Sequence, residues 1–149
     1  MPSLSQTRKS PYSASQMYSL VMDIEKYPEF LPWCKKAKIV NEISETNLHA
    51  DLLINFKNFL EKYRSDVTHK INSDGVYFVS VNAIEGPFKK LVNSWKFRDL
   101  ESGGCEIEFF IEFEFNSFLL SKMLGSIFEK ASEKMMSAFE ERAKEVLAK

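Results

Sequence analysis

One stretch near the C-terminus decides the fold: residues 105–115 read CEIEFFIEFEF. Successive side chains of a β-strand point to opposite faces of the sheet, so this alternation indicates a strand with one buried face. Glutamates occupy the second face, which predicts contact with water. The apolar face carries Cys105, Ile107, Phe109, Ile111, Phe113 and Phe115.

The segment after this strand has the period of a helix. Apolar residues recur every three or four positions, which predicts a helix from about Phe118 to Leu147 with one apolar stripe. A helix of this length has to cover an apolar sheet face, and the face of residues 105–115 is the obvious partner. The predicted stripe consists of Leu120, Leu124, Ile127, Ala131, Met135, Ala138 and Val146.

The N-terminal part predicts a strand and two short helices. Leu4–Lys9 is interpreted as a first strand, and Ser13 with Gln16 has the spacing of a capping box. We therefore predict a helix over Ala14–Met22. Pro28 is placed to begin a second short helix, which ends before the next proline because that ring is incompatible with a helix interior.

The middle of the chain alternates with a period of two from Lys38 onward. Turn sequences such as Asn72–Gly75 separate the alternating segments, which predicts an antiparallel meander. The strands expected here include Leu48–Phe56, Tyr63–Ile71, Val76–Ala83 and Leu91–Arg98. The whole pattern predicts a single α+β domain over residues 1–149.

Composition limits the classes of function. The chain has 149 residues, enough for one domain with a sizeable core, and 13 of them are Phe. Lys plus Arg is 20 and Asp plus Glu is 21, so the net charge of −1 argues against DNA as a partner bound by bulk charge. The two cysteines fit a reducing compartment and predict no metal site. The first residues lack the apolar run of a signal peptide, and we expect a cytoplasmic protein.

Three local strings carry a family resemblance. Residues 27–34 read YPEFLPWC, residues 86–91 read GPFKKL with Trp95 and Phe97 following, and residues 138–143 read AFEERA. In this order they resemble the coenzyme Q-binding protein family. That family shares the START-like, helix-grip fold of the polyketide cyclase/dehydrase and lipid transport superfamily with the bacterial ribosome-association toxins. The resemblance implies a curved antiparallel sheet of about seven strands, with two short helices and one long C-terminal helix packed across it.

The resemblance also implies a function. It predicts an apolar cavity that binds ubiquinone or another isoprenoid lipid for the respiratory chain, with no catalysis and no cofactor besides that ligand. Transient contact with the inner face of the cytoplasmic membrane would accompany this role. The alternative is a toxin-like regulator that binds a ribosomal subunit and blocks subunit joining. A third hypothesis, a polyketide cyclase, requires a polar constellation in the cavity, for which Tyr63, Arg64 and His69 are the candidates.

Aromatic and methionine side chains are the candidates for lining the cavity. Core packing explains the same residues, but a helix laid over a curved sheet tends to leave space for a ligand. Trp33 and Phe88 flank turns and are placed to guard an entrance or touch a bilayer. The predicted ligand-binding residues are Trp33, Phe56, Trp95, Phe97, Phe109, Phe113, Met123, Ile127 and Met135.

The remaining reactive or charged groups have structural explanations. Cys34 is interpreted as a small buried thiol, and His69 as a core histidine with a hydrogen-bonding partner. Glu106, Glu108, Glu112 and Glu114 are interpreted as a solvated face and not as a cation site.

Lysines leave alternatives open. Lys89 and Lys90 suit an anionic head group or ordinary loop solvation. Lys35, Lys36 and Lys38 form the densest basic cluster, and suit either a membrane surface or ribosomal RNA.

Overall fold

Strands and helices follow the predicted order in a computed structural model, which describes residues 3–56 and 59–147. The chain forms β1 (Ser3–Ser10), α1 (Ala14–Met22), a 3₁₀ helix (Ile24–Glu29), β2 (Cys34–Ser44), β3 (Asn47–Phe56), β4 (Phe59–Ile71), β5 (Tyr77–Glu85), β6 (Phe88–Asp99), β7 (Cys105–Phe115) and α2 (Phe118–Leu147).

Within the described ranges, seven antiparallel strands form one sheet in the spatial order β1-β7-β6-β5-β4-β3-β2. Strands β2 to β7 pair in succession as a meander, and β1 returns to pair with β7. The long helix α2 covers the apolar face of the curved sheet. This arrangement confirms the predicted α+β, helix-grip fold.

The last strand, β7, has the predicted buried and wet faces. Its apolar residues are all buried under α2 and α1. Its glutamates pair with cations of the neighbouring strand β6, which supports the interpretation of a solvated face. The pairs are Arg98–Glu106 (2.6 Å), Lys96–Glu108 (3.5 Å), Lys90–Glu112 (2.6 Å) and Lys89–Glu114 (3.4 Å).

Helix α1 has the predicted bounds because its N-terminus is capped by its own sequence. The Ser13 side chain accepts a hydrogen bond from the Gln16 backbone N–H (3.1 Å), and the Gln16 side chain accepts one from the Ser13 N–H (2.9 Å). The Ala14 N–H donates to Asp99 of β6 (2.8 Å), which fixes the helix against the sheet. Three of the four backbone N–H groups that a helix start leaves without intrahelical partners are thereby satisfied.

The expectation that the second short helix begins at Pro28 is wrong. This element is a 3₁₀ helix starting at Ile24, and Pro28 lies inside it. The Lys26 N–H donates to the Asp23 carbonyl (3.1 Å), so the tight turn starts directly after α1 and upstream of the proline.

Helix α2 has its predicted length but a different buried face. The expected stripe included Leu120, Ile127 and Ala138, which are only partly buried. Leu124 and Ala131 of that stripe are buried as predicted, but most of the other buried side chains lie one position after a stripe residue, so the contact face is partly rotated. The buried side chains are Leu124, Phe128, Ala131, Ser132, Met136, Phe139 and Ala143. Near its end, Glu140 accepts a hydrogen bond from Arg8 of β1 (2.6 Å).

Glycine is required at the turn between β5 and β6. Gly86 has φ +130°, and a Cβ built there would lie 2.5 Å from the Cβ of Tyr63 on β4. Only a residue without a side chain lets this turn approach β4 so closely. The glycine of the string GPFKKL therefore sets the position of Tyr63.

Candidate functional site

A cavity of about 70 Å³ lies between the sheet and α2. One water molecule needs roughly 10–15 Å³ measured in this way, so the space holds several water-sized groups. The sheet contributes one wall from its six strands β2 to β7, and Phe128, Met135 and Phe139 of α2 contribute the opposite wall. The 3₁₀ helix and the residues after it close one side with Ile24, Tyr27, Leu31 and Trp33.

Two of the strings quoted above meet at this cavity. Tyr27 and Phe30 from the first string contact the Phe139 ring at centroid distances of 5.4 and 5.0 Å. Trp95 contacts the same ring at 5.0 Å. These rings bury much apolar area and fix the end of α2 against the 3₁₀ helix.

The string GPFKKL contributes Phe88, which lies at the other end of the cavity. The Phe88 ring stacks on Phe115 (4.9 Å) and meets the edges of Tyr63 (5.2 Å) and Phe128 (5.2 Å). Phe128 in turn contacts Phe56 at 5.9 Å. Phe88 is therefore a buried packing residue beside the cavity and not an exposed membrane anchor.

The polar groups in the cavity wall are few and uncharged. Among the described residues that line it there is no Lys, Arg, His, Asp or Glu. The Asn93 side chain donates to the Phe110 carbonyl (2.9 Å) and accepts from the Trp95 indole N–H (3.1 Å). The Ser65 hydroxyl lies in the same wall with no hydrogen-bond partner among the described residues.

Burial keeps the ionisable groups of the wall neutral. It raises the pKa of the Cys34 thiol to about 11, and it raises the pKa values of Tyr27 and Tyr63 well above that of a free tyrosine. The Tyr27 hydroxyl donates to the Val21 carbonyl. A protonated thiol is a poor nucleophile. A wall of neutral groups is suited to enclosing an apolar molecule.

Three of the nine predicted site residues line this cavity: Trp33, Trp95 and Met135. The structure places the other six elsewhere. Phe97, Phe109 and Phe113 are buried in the packed core, where Phe97 and Phe109 contact the Trp95 ring and Phe113 contacts the Phe128 ring. Phe56 packs against Phe128 behind the wall, Ile127 is partly buried, and Met123 is half-exposed on the outer side of α2.

Phe128, Phe139 and Ser65 line the cavity although the sequence interpretation does not place them there. A signal for two of them existed. Phe139 lies in the string AFEERA, and Ser65 is the polar exception in the inward register of Tyr63 and Val67 on β4.

The candidates for cyclase chemistry do not meet in the cavity. The His69 imidazole Nδ1 lies 2.7 Å from the Tyr18 hydroxyl of α1, outside the cavity wall, so His69 has the predicted hydrogen-bonding partner but is only half-buried. Arg64 pairs with Asp51 (2.7 Å) and lowers the pKa of that carboxyl. Tyr63 alone of the three candidates lines the cavity. In the ranges 3–56 and 59–147, no cluster of acidic, histidine and cysteine side chains is arranged to hold a metal ion.

Comparisons with known proteins agree with this architecture. Residues 10–140 match the polyketide cyclase/dehydrase and lipid transport family. The chain is 43% identical over 147 residues to the ribosome association toxin RatA of Rickettsia prowazekii, covering 99% of each chain. It is 28% identical over 149 residues to coenzyme Q-binding protein COQ10 homolog B, mitochondrial, of Xenopus laevis, covering 93% of this chain and 57% of the other. The solution structure of the 18 kDa protein CC1736 from Caulobacter crescentus is 30% identical, with a TM-score of 0.73 over 100% of both chains.

Proposed function

The chain belongs to the polyketide cyclase/dehydrase and lipid transport family of START-like domains, and from that premise we propose that its cavity binds ubiquinone or a related isoprenoid lipid. The bound lipid is handed on for use in the respiratory chain without chemical change. The similarity to the coenzyme Q-binding protein of Xenopus laevis supports this choice of ligand.

The observation that carries the proposal is the uncharged, aromatic-lined cavity beneath α2. Transfer of apolar surface from water contributes about 25 cal/mol per Å² buried, and an uncharged wall adds no desolvation cost for ions. Trp95, Phe128 and Phe139 supply flat apolar surfaces of the kind that pack against a ring. Neutral Cys34 and Tyr63 support a binding role over an enzymatic one.

The size of the cavity requires a change of shape on loading. A volume of about 70 Å³ is too small for a complete isoprenoid lipid. Gly125 lies inside the continuous helix α2, and glycine weakens a helix interior, so we propose that α2 bends near this residue on loading. The second half of α2 is held by the hydrogen bond from Arg8 to Glu140 and by the packing of the Phe139 ring against other aromatic rings.

An apolar patch at the start of α2 supports a peripheral contact with the membrane. Phe118, Leu119 and Met123 are 82%, 64% and 52% exposed, and the Lys122 Nζ lies 5.7 Å from the centre of the Phe118 ring. Amphipathic surfaces of this composition insert at the boundary of head groups and acyl chains. Lys89 and Lys90 add little charge, since both pair with glutamates of β7.

No helix in the described part of the chain is long and apolar enough to cross a bilayer. The membrane contact that we propose is made by the exposed patch of Phe118, Leu119 and Met123 on the surface of the inner leaflet.

Native mass spectrometry with organic extraction tests the binding role. The protein is purified from its own host as wild type and as Ala50→Leu, whose added carbons project from a fully buried position into the cavity. We expect a stoichiometric quinone or isoprenoid lipid on the wild type and a large loss on Ala50→Leu. Ala37→Leu on the edge strand β2, outside the cavity wall, is the matched control. A wild-type protein that carries no lipid and takes up none contradicts the proposal.

A ribosomal role is the second candidate, because the similarity to the ribosome association toxin covers 99% of the chain. Lys35, Lys36 and Lys38 are all exposed on β2, without an ion pair to another described residue. Lysines and the register shifts of β2 also protect an edge strand against pairing with other chains. The cluster therefore has a structural explanation alongside the functional one.

Co-sedimentation with ribosomal subunits distinguishes the two explanations. A plot of the logarithm of the binding constant against the logarithm of the salt concentration has a slope that grows with the number of phosphate contacts. If the three lysines contact phosphates, their replacement by glutamine makes this slope shallower by about 2 to 3. Lys130→Gln with Lys134→Gln, on the exposed side of α2, is the control. Unchanged or absent sedimentation leaves the cluster as edge protection.

A further inference from the structure

Ser65 lies at the centre of the cavity's sheet wall and is 1% exposed. It is the seventh of the thirteen residues of β4, so strands flank it on both sides. Its neighbours across the sheet are Ala50 on β3 and Ala83 on β5. The methyl side chains of these two neighbours offer the Ser65 hydroxyl no hydrogen-bonding group.

The Ser65 hydroxyl has no hydrogen-bond partner among the described residues. Buried polar atoms in folded proteins nearly always have a partner, which is a protein group, an ordered water or a ligand. Asn93, the nearest comparable group in the wall, has both ends of its amide engaged by Phe110 and Trp95. Among the described residues, Ser65 is the one buried polar side chain of the wall that the structure leaves without a hydrogen-bond partner.

We infer that Ser65 is the hydrogen-bonding point for the polar head of the ligand, and that this head is uncharged and carries a carbonyl or hydroxyl oxygen. A hydroxyl donates to a carbonyl and accepts from an alcohol or phenol, so it serves both forms. A carboxylate or phosphate head would enter a wall that offers no cation, at a high desolvation cost. The inference rests on the proposed binding of a lipid and narrows its class to neutral, oxygen-bearing lipids.

The variant Ser65→Ala tests this role with little risk to folding. It removes one oxygen and leaves three alanines side by side on β3, β4 and β5. Since the hydroxyl has no partner in the protein, its loss is expected to leave the melting temperature unchanged or slightly higher. Ser80→Ala, on the opposite face of β5, is the matched control.

The probes are a short-chain ubiquinone with two isoprene units, the same tail on a benzene ring without oxygens, and oleate. Affinities are measured by titration calorimetry. Quenching of Trp33 and Trp95, the chain's two tryptophans and both in the cavity wall, confirms where the quinone binds. We expect Ser65→Ala to bind the quinone about tenfold more weakly, as the loss of one neutral hydrogen bond predicts. The oxygen-free probe should bind both proteins equally, and oleate should bind neither.

The outcomes separate the inference from the proposed function. If Ser65→Ala binds the quinone as tightly as the wild type, the hydroxyl does not hold the head, and the inference fails while the binding role stands. If the wild type itself prefers the oxygen-free probe or oleate, the inference fails independently of any variant. If the wild type binds none of the three probes, the proposed function fails as well.

Discussion

Arg142, near the end of α2, donates a hydrogen bond through Nη2 to Oε1 of Glu29 at the end of the 3₁₀ helix, 2.7 Å away. The Arg142 guanidinium also lies over the Phe30 ring, 5.2 Å from its centre. This hydrogen bond lowers the pKa of Glu29. The two residues thereby join the closed side of the cavity to the fixed half of the helix.

Replacing Arg142 by alanine should loosen that closed side. The loss of the cation–π contact and of the buried methylenes costs on the order of 1 kcal/mol in unfolding free energy. We expect faster amide hydrogen exchange in the 3₁₀ helix and a lower melting temperature. Lys144→Ala, which removes an exposed pair with Glu141, should change neither measurement. Unchanged exchange in Arg142→Ala would show that the ring cluster alone holds this side.

Alkaline pH should destabilise the protein. Burial raises the pKa values of Cys34 and Cys105 to about 11, from an ordinary value of 9.0. The unfolded chain then loses protons before the folded chain does, so stability is complete below pH 9 and declines between pH 9 and 11. We expect the melting temperature to fall by several degrees across that window, and less steeply in the double variant Cys34→Ala, Cys105→Ala. The same slope in both proteins would assign the decline to other groups, such as the buried tyrosines Tyr27 and Tyr63.

Polar residues at the start of α2 should abolish membrane contact. Phe118→Ser with Leu119→Ser removes two exposed apolar side chains, so folding is expected to be unaffected. We expect co-flotation with anionic vesicles to be lost. Ile71→Ser is the control, because that side chain is also an exposed apolar one (56%) but lies at the end of β4, outside the patch. If both variants float like the wild type, the patch is not the contact surface.

Gly125→Ala should stabilise the protein and slow its loading. A Cβ at this position meets nothing within 4 Å, and replacing glycine in a helix interior gains about 0.5–1 kcal/mol. The melting temperature should rise by about 2–4 °C. Stopped-flow quenching of the tryptophans should show slower uptake of a short-chain ubiquinone. Ser126→Ala on the exposed side is the control, and equal uptake rates in all three proteins would place the opening elsewhere.

Elements with strong local signals were predictable from the sequence. The capping pair Ser13 and Gln16 fixed the start of α1, and the alternation in residues 105–115 fixed both faces of β7. These signals depend on neighbours within a few residues, and nothing in the tertiary structure opposes them. The position of Pro28 was misjudged because the 3₁₀ turn starts from the end of α1.

The face of α2 was harder to predict for a specific reason. Apolar residues come in adjacent pairs along it, such as Ile127 with Phe128 and Met135 with Met136. Each pair allows two stripes that differ by a rotation of about 100°, and packing against the sheet decides between them. Of the two predicted cavity residues that α2 keeps out of the wall, Ile127 belongs to the predicted stripe and is partly buried, whereas Met123 lies outside that stripe and is 52% exposed.

The pairing of β1 with β7 has a consequence for how the chain is made. β1 hydrogen-bonds to no other strand, so residues 3–10 have no partner until residues 105–115 have been synthesised. At about 5–20 residues per second, that interval lasts roughly 5–20 seconds. Strands β2 to β6 can meanwhile close as successive hairpins, but contacts so distant in sequence form slowly. The nascent chain thus waits with an unpaired edge on β6, and the arrival of β7 covers that edge.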